Sequence, residues 1–185
     1  MSGLVLHTDR TEGTRTAAAA LADVLRAGDL LVLDGPLGAG KTTFTQGLGQ
    51  GLQVRGPVAS PTFVIARVHP SLRGGPALVH VDAYRLGESA DIDDLDLEAE
   101  LDEAVTVVEW GRDRVEHLAD STLLIQLDRP AQVEDPDEPE EPRTLRLTPR
   151  GPRWDETATE QLTTALRAAG HTVELTAAPA PEEEN

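Results

Sequence analysis

Eight consecutive residues, Gly35-Pro36-Leu37-Gly38-Ala39-Gly40-Lys41-Thr42, fit the spacing G-x-x-x-x-G-K-[ST] in full. The chemistry such a spacing serves is phosphate binding. Glycines let the backbone curl until successive N–H groups point into one concavity, which makes an anion nest. A helix starting at the lysine adds the partial positive charge of its N-terminus. In that frame Lys41 reaches the β- and γ-phosphates of a nucleoside triphosphate, and the Thr42 hydroxyl ligates Mg²⁺. Gly38, Ala39, Gly40 and Thr43 complete the candidate cradle. The motif speaks for a triphosphate and is silent on the reaction.

A triphosphate site needs acids at the ends of neighbouring strands. Val105 to Val108 followed by Glu109 supplies one. Glu109 could hold Mg²⁺ directly, hold it through a water, or orient an attacking water. A strand-end carboxylate that merely faces solvent is the plain alternative. His80-Val81-Asp82 is a second strand ending in an acid, with Tyr84 and Arg85 just beyond. Asp82 could serve metal or water, while His80 reads first as a satisfied core histidine. Ser60-Pro61-Thr62 stands where a nucleotide-hydrolysing protein keeps a loop that senses the γ-phosphate. A threonine hydroxyl there completes the Mg²⁺ shell when triphosphate is bound.

These residues need elements to hold them, and the apolar pattern provides strands alternating with helices. Thr11 to Ala27 has helical periodicity stopped by Gly28, and Leu30 to Leu33 is a short apolar run that reads as a buried strand. A helix from Lys41 to Leu52 places Phe44, Leu48 and Leu52 on one face. Thr62–Val68 and Ala77–Val81 read as strands joined by a Gly/Pro turn, and Val105–Val108 as another buried strand. Ile92, Leu95 and Leu101 mark helical turns in an acidic stretch, and Arg112–Leu118 a short helix. Thr122–Leu127 and Arg143–Leu147 alternate like a hairpin. Trp154–Ala169 is an amphipathic helix, and His171–Leu175 a candidate edge strand. This alternation implies a three-layer α/β fold of the P-loop NTPase type. The two hairpin-like pairs make its sheet mixed parallel and antiparallel.

The composition bounds the class. The chain of 185 residues suits one domain; residues 1–176 are read as that domain and 177–185 as a disordered acidic tail. The net charge is −17, yet it is local. Glu88–Glu103 holds nine acidic residues, Ala131–Pro142 six and Pro181–Asn185 three, with no basic residue in any of them. The remainder carries 15 acidic against 16 basic residues. The Pro- and acid-rich stretch 131–142 reads as a flexible, solvated loop. The acidic excess argues against direct grip on a nucleic acid. There is no cysteine, which excludes disulfides, thiolate–zinc sites and thiol catalysis and fits a reducing compartment. No apolar run approaches the roughly 20 residues of a membrane span, and Met1–Arg10 lacks a signal-peptide core. A soluble, cytoplasmic protein is expected.

Four pieces in order carry a family resemblance: Gly-Pro-Leu-Gly-Ala-Gly-Lys-Thr-Thr-Phe at 35–44, Ser60-Pro61-Thr62-Phe63, His80-Val81-Asp82-Ala83-Tyr84-Arg85-Leu86 and Val108-Glu109-Trp110. Over about Thr14 to Trp110 the chain resembles the bacterial tRNA threonylcarbamoyladenosine biosynthesis ATPases, the TsaE family. The resemblance implies a small ATPase with a mixed sheet that takes ATP and Mg²⁺. It implies work beside a heterodimer of a threonylcarbamoyl transferase and its inactive paralogue, meeting tRNA only indirectly and no membrane. Under it Lys41, Asp82 and Glu109 form the catalytic group, with Glu109 the favoured metal ligand beside Thr42. Thr62 becomes a switch residue at the metal, and Thr14 a residue near the nucleotide. Two positions depart from the family pattern: Pro36 replaces the usual Asp, and no aromatic follows in Val64–His69. Two other readings stay open on the residues alone, a small-molecule P-loop kinase and a non-catalytic assembly factor controlled by its nucleotide.

Overall fold

The computed structural model describes residues 2–61, 65–85, 101–129 and 142–177. Eight strands form one sheet: β1 (Ser2–Thr8), β2 (Leu30–Asp34), β3 (Ala66–His69), β4 (Ala77–Asp82), β5 (Ala104–Glu109), β6 (Thr122–Asp128), β7 (Arg143–Arg150) and β8 (Val173–Ala177). Among the described residues three α-helices accompany them: α1 (Thr11–Leu21), α2 (Lys41–Gly51) and α3 (Glu156–Ala168). The strand order is β3-β4-β5-β2-β6-β7-β1-β8.

The four central strands β4, β5, β2 and β6 run parallel. The outer pairings are antiparallel, β3 on β4 at one side and β7, β1 and β8 at the other. This is the mixed sheet that the sequence implies. Central parallel strands are covered on both faces, so they are built mainly from apolar residues. Leu30–Leu33 and Ala104–Val108 are buried at every residue.

One face carries the larger core, in which Leu31, Leu33, Val105 and Val107 of the sheet meet Phe44 and Leu48 of α2 and Leu162 and Leu166 of α3. The other face sets Val32, Val79, Val81 and Val108 against Leu101 and Val115. Helices α1 and α2 pack so closely that a Cβ on Gly47 would stand 2.3 Å from the Arg15 carbonyl oxygen. Only a residue without a side chain permits that approach.

Several boundaries differ from the sequence expectation. Helix α1 ends at Leu21 instead of running to Ala27, because the N–H of Val24 turns back to the Leu21 carbonyl in a tighter turn. Residues 112–118 do not form the expected helix; only Glu116–Leu118 makes a 3-10 turn. Asp113 sits at φ +60°, a left-handed conformation that interrupts a helix, and the Glu116 carboxylate accepts the N–H groups of Asp113, Arg114 and Val115 around that turn. Strand β3 begins at Ala66, beyond Ile65 at φ +67°. The strand β1 was not anticipated; Leu4 and Leu6 are fully buried and pair with Leu147 and Leu145 of β7. Ala177, assigned to the tail, ends β8 as an edge residue. The turns at Ile92 and Leu95, the acidic stretch 131–141, residues 178–185 and Thr62 lie outside the described residues.

Candidate functional site

Strand β2 delivers the chain to the C-terminal edge of the parallel strands, and the glycine loop turns it into α2. Gly35 adopts φ +141°, and a Cβ there would lie 2.3 Å from the Leu127 carbonyl oxygen on β6. The loop is therefore seated against the neighbouring strand at that point. Pro36 does not disturb it: its carbonyl accepts the Ala39 N–H at 3.1 Å, and no bond in the turn needs an N–H from residue 36. The start of the loop is fixed by Asp34, whose Oδ1 accepts the Gly35 N–H at 2.9 Å. Its Oδ2 accepts from Arg112 Nη1 at 3.2 Å and Gln126 Nε2 at 3.4 Å.

Lys41 opens α2 and is almost wholly buried. Its ammonium donates to the Gly35 carbonyl at 2.6 Å and to the Pro36 carbonyl at 3.0 Å. It also stands 3.5 Å from the centre of the Trp110 ring, a cation–π contact. Burial pushes the Lys41 pKa down from its ordinary 10.5, against the opposing pull of the Glu109, Asp34 and Asp82 carboxylates. Trp110 is held at φ +62°, and its ring lies 5.2 Å from that of Tyr84.

The two strand-end acids meet beneath the loop. Asp82 of β4 and Glu109 of β5 are register partners, and both are about 95 % or more buried. The Thr42 hydroxyl donates to both Glu109 oxygens, at 3.0 and 3.2 Å. Asp82 accepts from Ser60 Oγ at 3.2 Å and from the Tyr84 N–H at 3.0 Å. Glu109 is thus no solvent-facing strand end.

A cavity of about 350 Å³ opens over this group, lined by Leu37, Gly38, Gly40, Lys41, Thr42, Thr43, Ser60, Asp82, Tyr84, Glu109 and Trp110. Gly38, Gly40, Lys41, Thr42, Thr43, Asp82 and Glu109 are thereby brought together as the sequence implied. Ala39 is buried behind the loop, and Thr14 is buried in α1 with its hydroxyl 3.3 Å from that of Thr8; neither lines the cavity. Sequence reasoning missed Asp34, Gln126 and Arg112 as braces of the loop. The only signal was an acid placed directly before the first glycine. The oxygen donors suit a hard cation such as Mg²⁺, which is bound by one or two carboxylates together with phosphate oxygens. Among the described residues no group of three or more His, Asp or Glu side chains forms a cage that could hold a metal by itself.

A G-x-x-x-x-G-K-T loop between a central parallel strand and a helix, in a mixed sheet, defines the class: an α/β protein with a glycine-rich strand-to-helix loop. The sequence model of the family described as "Threonylcarbamoyl adenosine biosynthesis protein TsaE" matches residues 8–135. The chain belongs to the TsaE family. It is 56% identical over 135 residues to the tRNA threonylcarbamoyladenosine biosynthesis protein TsaE of Streptomyces coelicolor, covering 72% of this chain and 88% of that one. It is 34% identical to the Bacillus subtilis TsaE over 156 residues, covering 84% and 91%. The solved structure of Bacillus subtilis YdiB superposes with a TM-score of 0.67 at 29% identity, over 89% of this chain and 97% of that chain. No helix among the described residues is long and apolar enough to cross a membrane.

Proposed function

We propose that this chain is an ATPase that supports N6-threonylcarbamoyladenosine modification of tRNA, acting with a threonylcarbamoyl transferase and its inactive paralogue. The observation that carries the ATPase part is the contact between the Thr42 hydroxyl and Glu109 next to Lys41, all lining one cavity over the glycine loop. Membership of the TsaE family supports the modification part. In this reading the loop N–H groups and Lys41 bind the triphosphate, with Lys41 exchanging its bonds to the Gly35 and Pro36 carbonyls for phosphate oxygens. Thr42 and Glu109 are the residues that would hold Mg²⁺, and Thr62 would join them as a switch. Mg²⁺, when bound, neutralises charge developing on the transferred phosphoryl group. Asp82, fixed by Ser60 and the Tyr84 N–H, orients the attacking water.

The local charge supports a metal-dependent site. Among the described residues lining the cavity, Lys41 is the one cation, set against the carboxylates of Asp82 and Glu109. A triphosphate entering alone would meet a net negative wall. The acidic surplus of the chain fits a protein that assists tRNA modification by binding proteins that hold the tRNA, and we place it in the cytoplasm on that account.

The test is ATP hydrolysis by the protein with and without the transferase heterodimer, for the wild type and Glu109→Ala. The expected result is hydrolysis to water that rises with the heterodimer and is lost in the variant, together with the modification cycle. A variant that loses hydrolysis yet sustains the cycle would leave only a nucleotide-controlled assembly factor. Phosphoryl transfer to a metabolite would support the kinase reading instead.

A further inference from the structure

We propose that His80 is a positioning residue for Glu109: its imidazole holds one carboxylate oxygen from within the sheet, so that the other is presented to the metal. The inference rests on the ATPase reading above and deepens it.

Asp82 and Glu109 face the same side of the sheet as Leu78, Val105 and Val107, beneath α2. Two carboxylates placed side by side repel each other, so each needs its own donors to keep its orientation. Asp82 has Ser60 and the Tyr84 N–H. Glu109 has Thr42 from the cavity side, and on the other side His80 Nε2 at 2.8 Å from Oε1. His80 precedes Asp82 by two residues, which puts its side chain on the same face as the acids. There it is diagonal to Glu109, a separation that a ring can span. An ionised carboxylate only accepts, so Nε2 carries the hydrogen and donates. Oε1 then receives both His80 and the shorter Thr42 contact, while Oε2 receives only the longer Thr42 contact at 3.2 Å, so Oε2 is the oxygen with more capacity for a metal or its water.

A second observation separates this role from simple filling of the core. The His80 side chain is completely buried, and its Nδ1 has no hydrogen-bond partner among the described residues. A buried nitrogen without a partner is unfavourable, and an aliphatic side chain of similar size would avoid it. What the imidazole adds at this position is the bond from Nε2 to Glu109. Groups that orient a metal ligand in this manner typically change metal affinity strongly when removed.

The experiment uses the full chain. ATP binding is measured by calorimetry across a Mg²⁺ titration and again in EDTA, for the wild type, His80→Leu and His80→Gln, each with and without Glu109→Ala. Thermal unfolding reports whether each protein is folded. We expect His80→Leu to raise the half-saturating Mg²⁺ concentration about tenfold or more, with affinity in EDTA unchanged. His80→Gln, whose amide can reach Oε1 as a donor, should stay within about threefold of the wild type. In the Glu109→Ala background His80→Leu should change nothing further, because its effect runs through that carboxylate. Wild-type Mg²⁺ dependence in His80→Leu would overturn the inference. So would an equal loss in EDTA, or an effect that persists without Glu109. If the leucine variant does not fold, His80→Asn, whose amide stops short of Oε1, is held to the same outcomes. Absence of any ATP binding by the wild type would sink the ATPase reading and this inference with it. Normal wild-type binding with an indifferent His80 sinks the inference alone.

Discussion

Replacing Arg153 by leucine should destabilise the protein strongly while leaving the cavity over the glycine loop intact. Arg153 lies in the 3-10 turn Pro152–Trp154 ahead of α3, and its guanidinium is drawn inward to Asp29 at the start of β2. Nε donates to Asp29 Oδ1 at 2.8 Å, and Nη2 donates to Oδ2 at 3.0 Å and to the Val24 carbonyl at 2.9 Å. The guanidinium carbon lies 4.2 Å from the centre of the Trp154 ring. Asp29 is only 2 % exposed. After the substitution its carboxylate would keep just one donor of those seen here, the Arg26 N–H. Removing one member of a buried pair leaves an uncompensated charge and costs about 3–5 kcal/mol. For a chain of this size that corresponds to a fall in Tm of roughly 6–20 °C. Adding Asp29→Asn should restore a large part of the loss, since the buried charge is its main source. Asp29 precedes β2 and Lys41 follows it, so the pair sits at the opposite end of the strand from the loop; ATP affinity measured well below Tm should match the wild type. Thermal unfolding and calorimetry check both halves. A Tm change equivalent to less than about 1 kcal/mol would mean that the pair behaves like an exposed one, and the reasoning from burial would fail.

Lys41→Ala should weaken ATP binding by about 1.5–3 kcal/mol, tenfold or more, the range for hydrogen bonds to a charged group; equal affinity in calorimetry would remove Lys41 from the phosphate site. Gly35→Ala should lower Tm and reduce ATP binding together, because its Cβ would collide with the Leu127 carbonyl at φ +141°. A variant unchanged in both would show that the loop is not seated against β6. Burial lowers the pKa of His69 and of His171 from the ordinary 6.5. Below that value the unfolded chain takes up protons that the folded chain resists, so both imidazoles make stability fall as pH falls through about 6.5 toward the folded values. Urea unfolding across that range checks the sign, and replacing both histidines by glutamine should flatten the dependence.

The sequence was most legible where one local rule decides the structure. Leu30–Leu33 is an unbroken apolar run and Val105–Val108 one interrupted only by Thr106, because central parallel strands are buried on both faces, and the glycine loop follows a fixed spacing. The reading faltered where partners distant in sequence decide. Strand β1 is a three-residue apolar run, Leu4-Val5-Leu6, that becomes a strand only between β7 and β8. Its partners lie more than 130 residues away, beyond any local window. The segment at 112–118 has helical composition, yet Asp113 turns to φ +60° and interrupts it, in a turn braced by the Glu116 carboxylate. His80 read as an ordinary core histidine because its bond to Glu109 crosses two strands whose register no single segment encodes. Asp34 was overlooked for the same reason, since its partners Arg112 and Gln126 come from the loop after β5 and from β6, the strands on either side of β2.

The sheet order explains why the site draws on one part of the chain. Every described residue lining the cavity lies between Leu37 and Trp110, and all but Ser60, which lies between α2 and β3, sit at the C-terminal ends of the parallel strands or in the loop or helical turn just beyond. Loops that follow parallel strands converge on a single edge of a sheet, which is where such folds bind ligands. Antiparallel strands carry alternate turns to opposite edges and cannot gather side chains in this way. Accordingly β1, β7, the turn Pro152–Trp154, α3 and β8 contribute Leu4, Leu6, Leu145, Leu147, Trp154, Leu162, Leu166 and Val173 to the core and nothing to the cavity. The family match ends at residue 135, between β6 and β7, so it spans the parallel strands and stops before most of the antiparallel side. Chemistry at one edge constrains both the identity and the register of the parallel strands. The antiparallel side has only to stay apolar toward Leu31, Leu33 and Ile125, a demand that many sequences can meet.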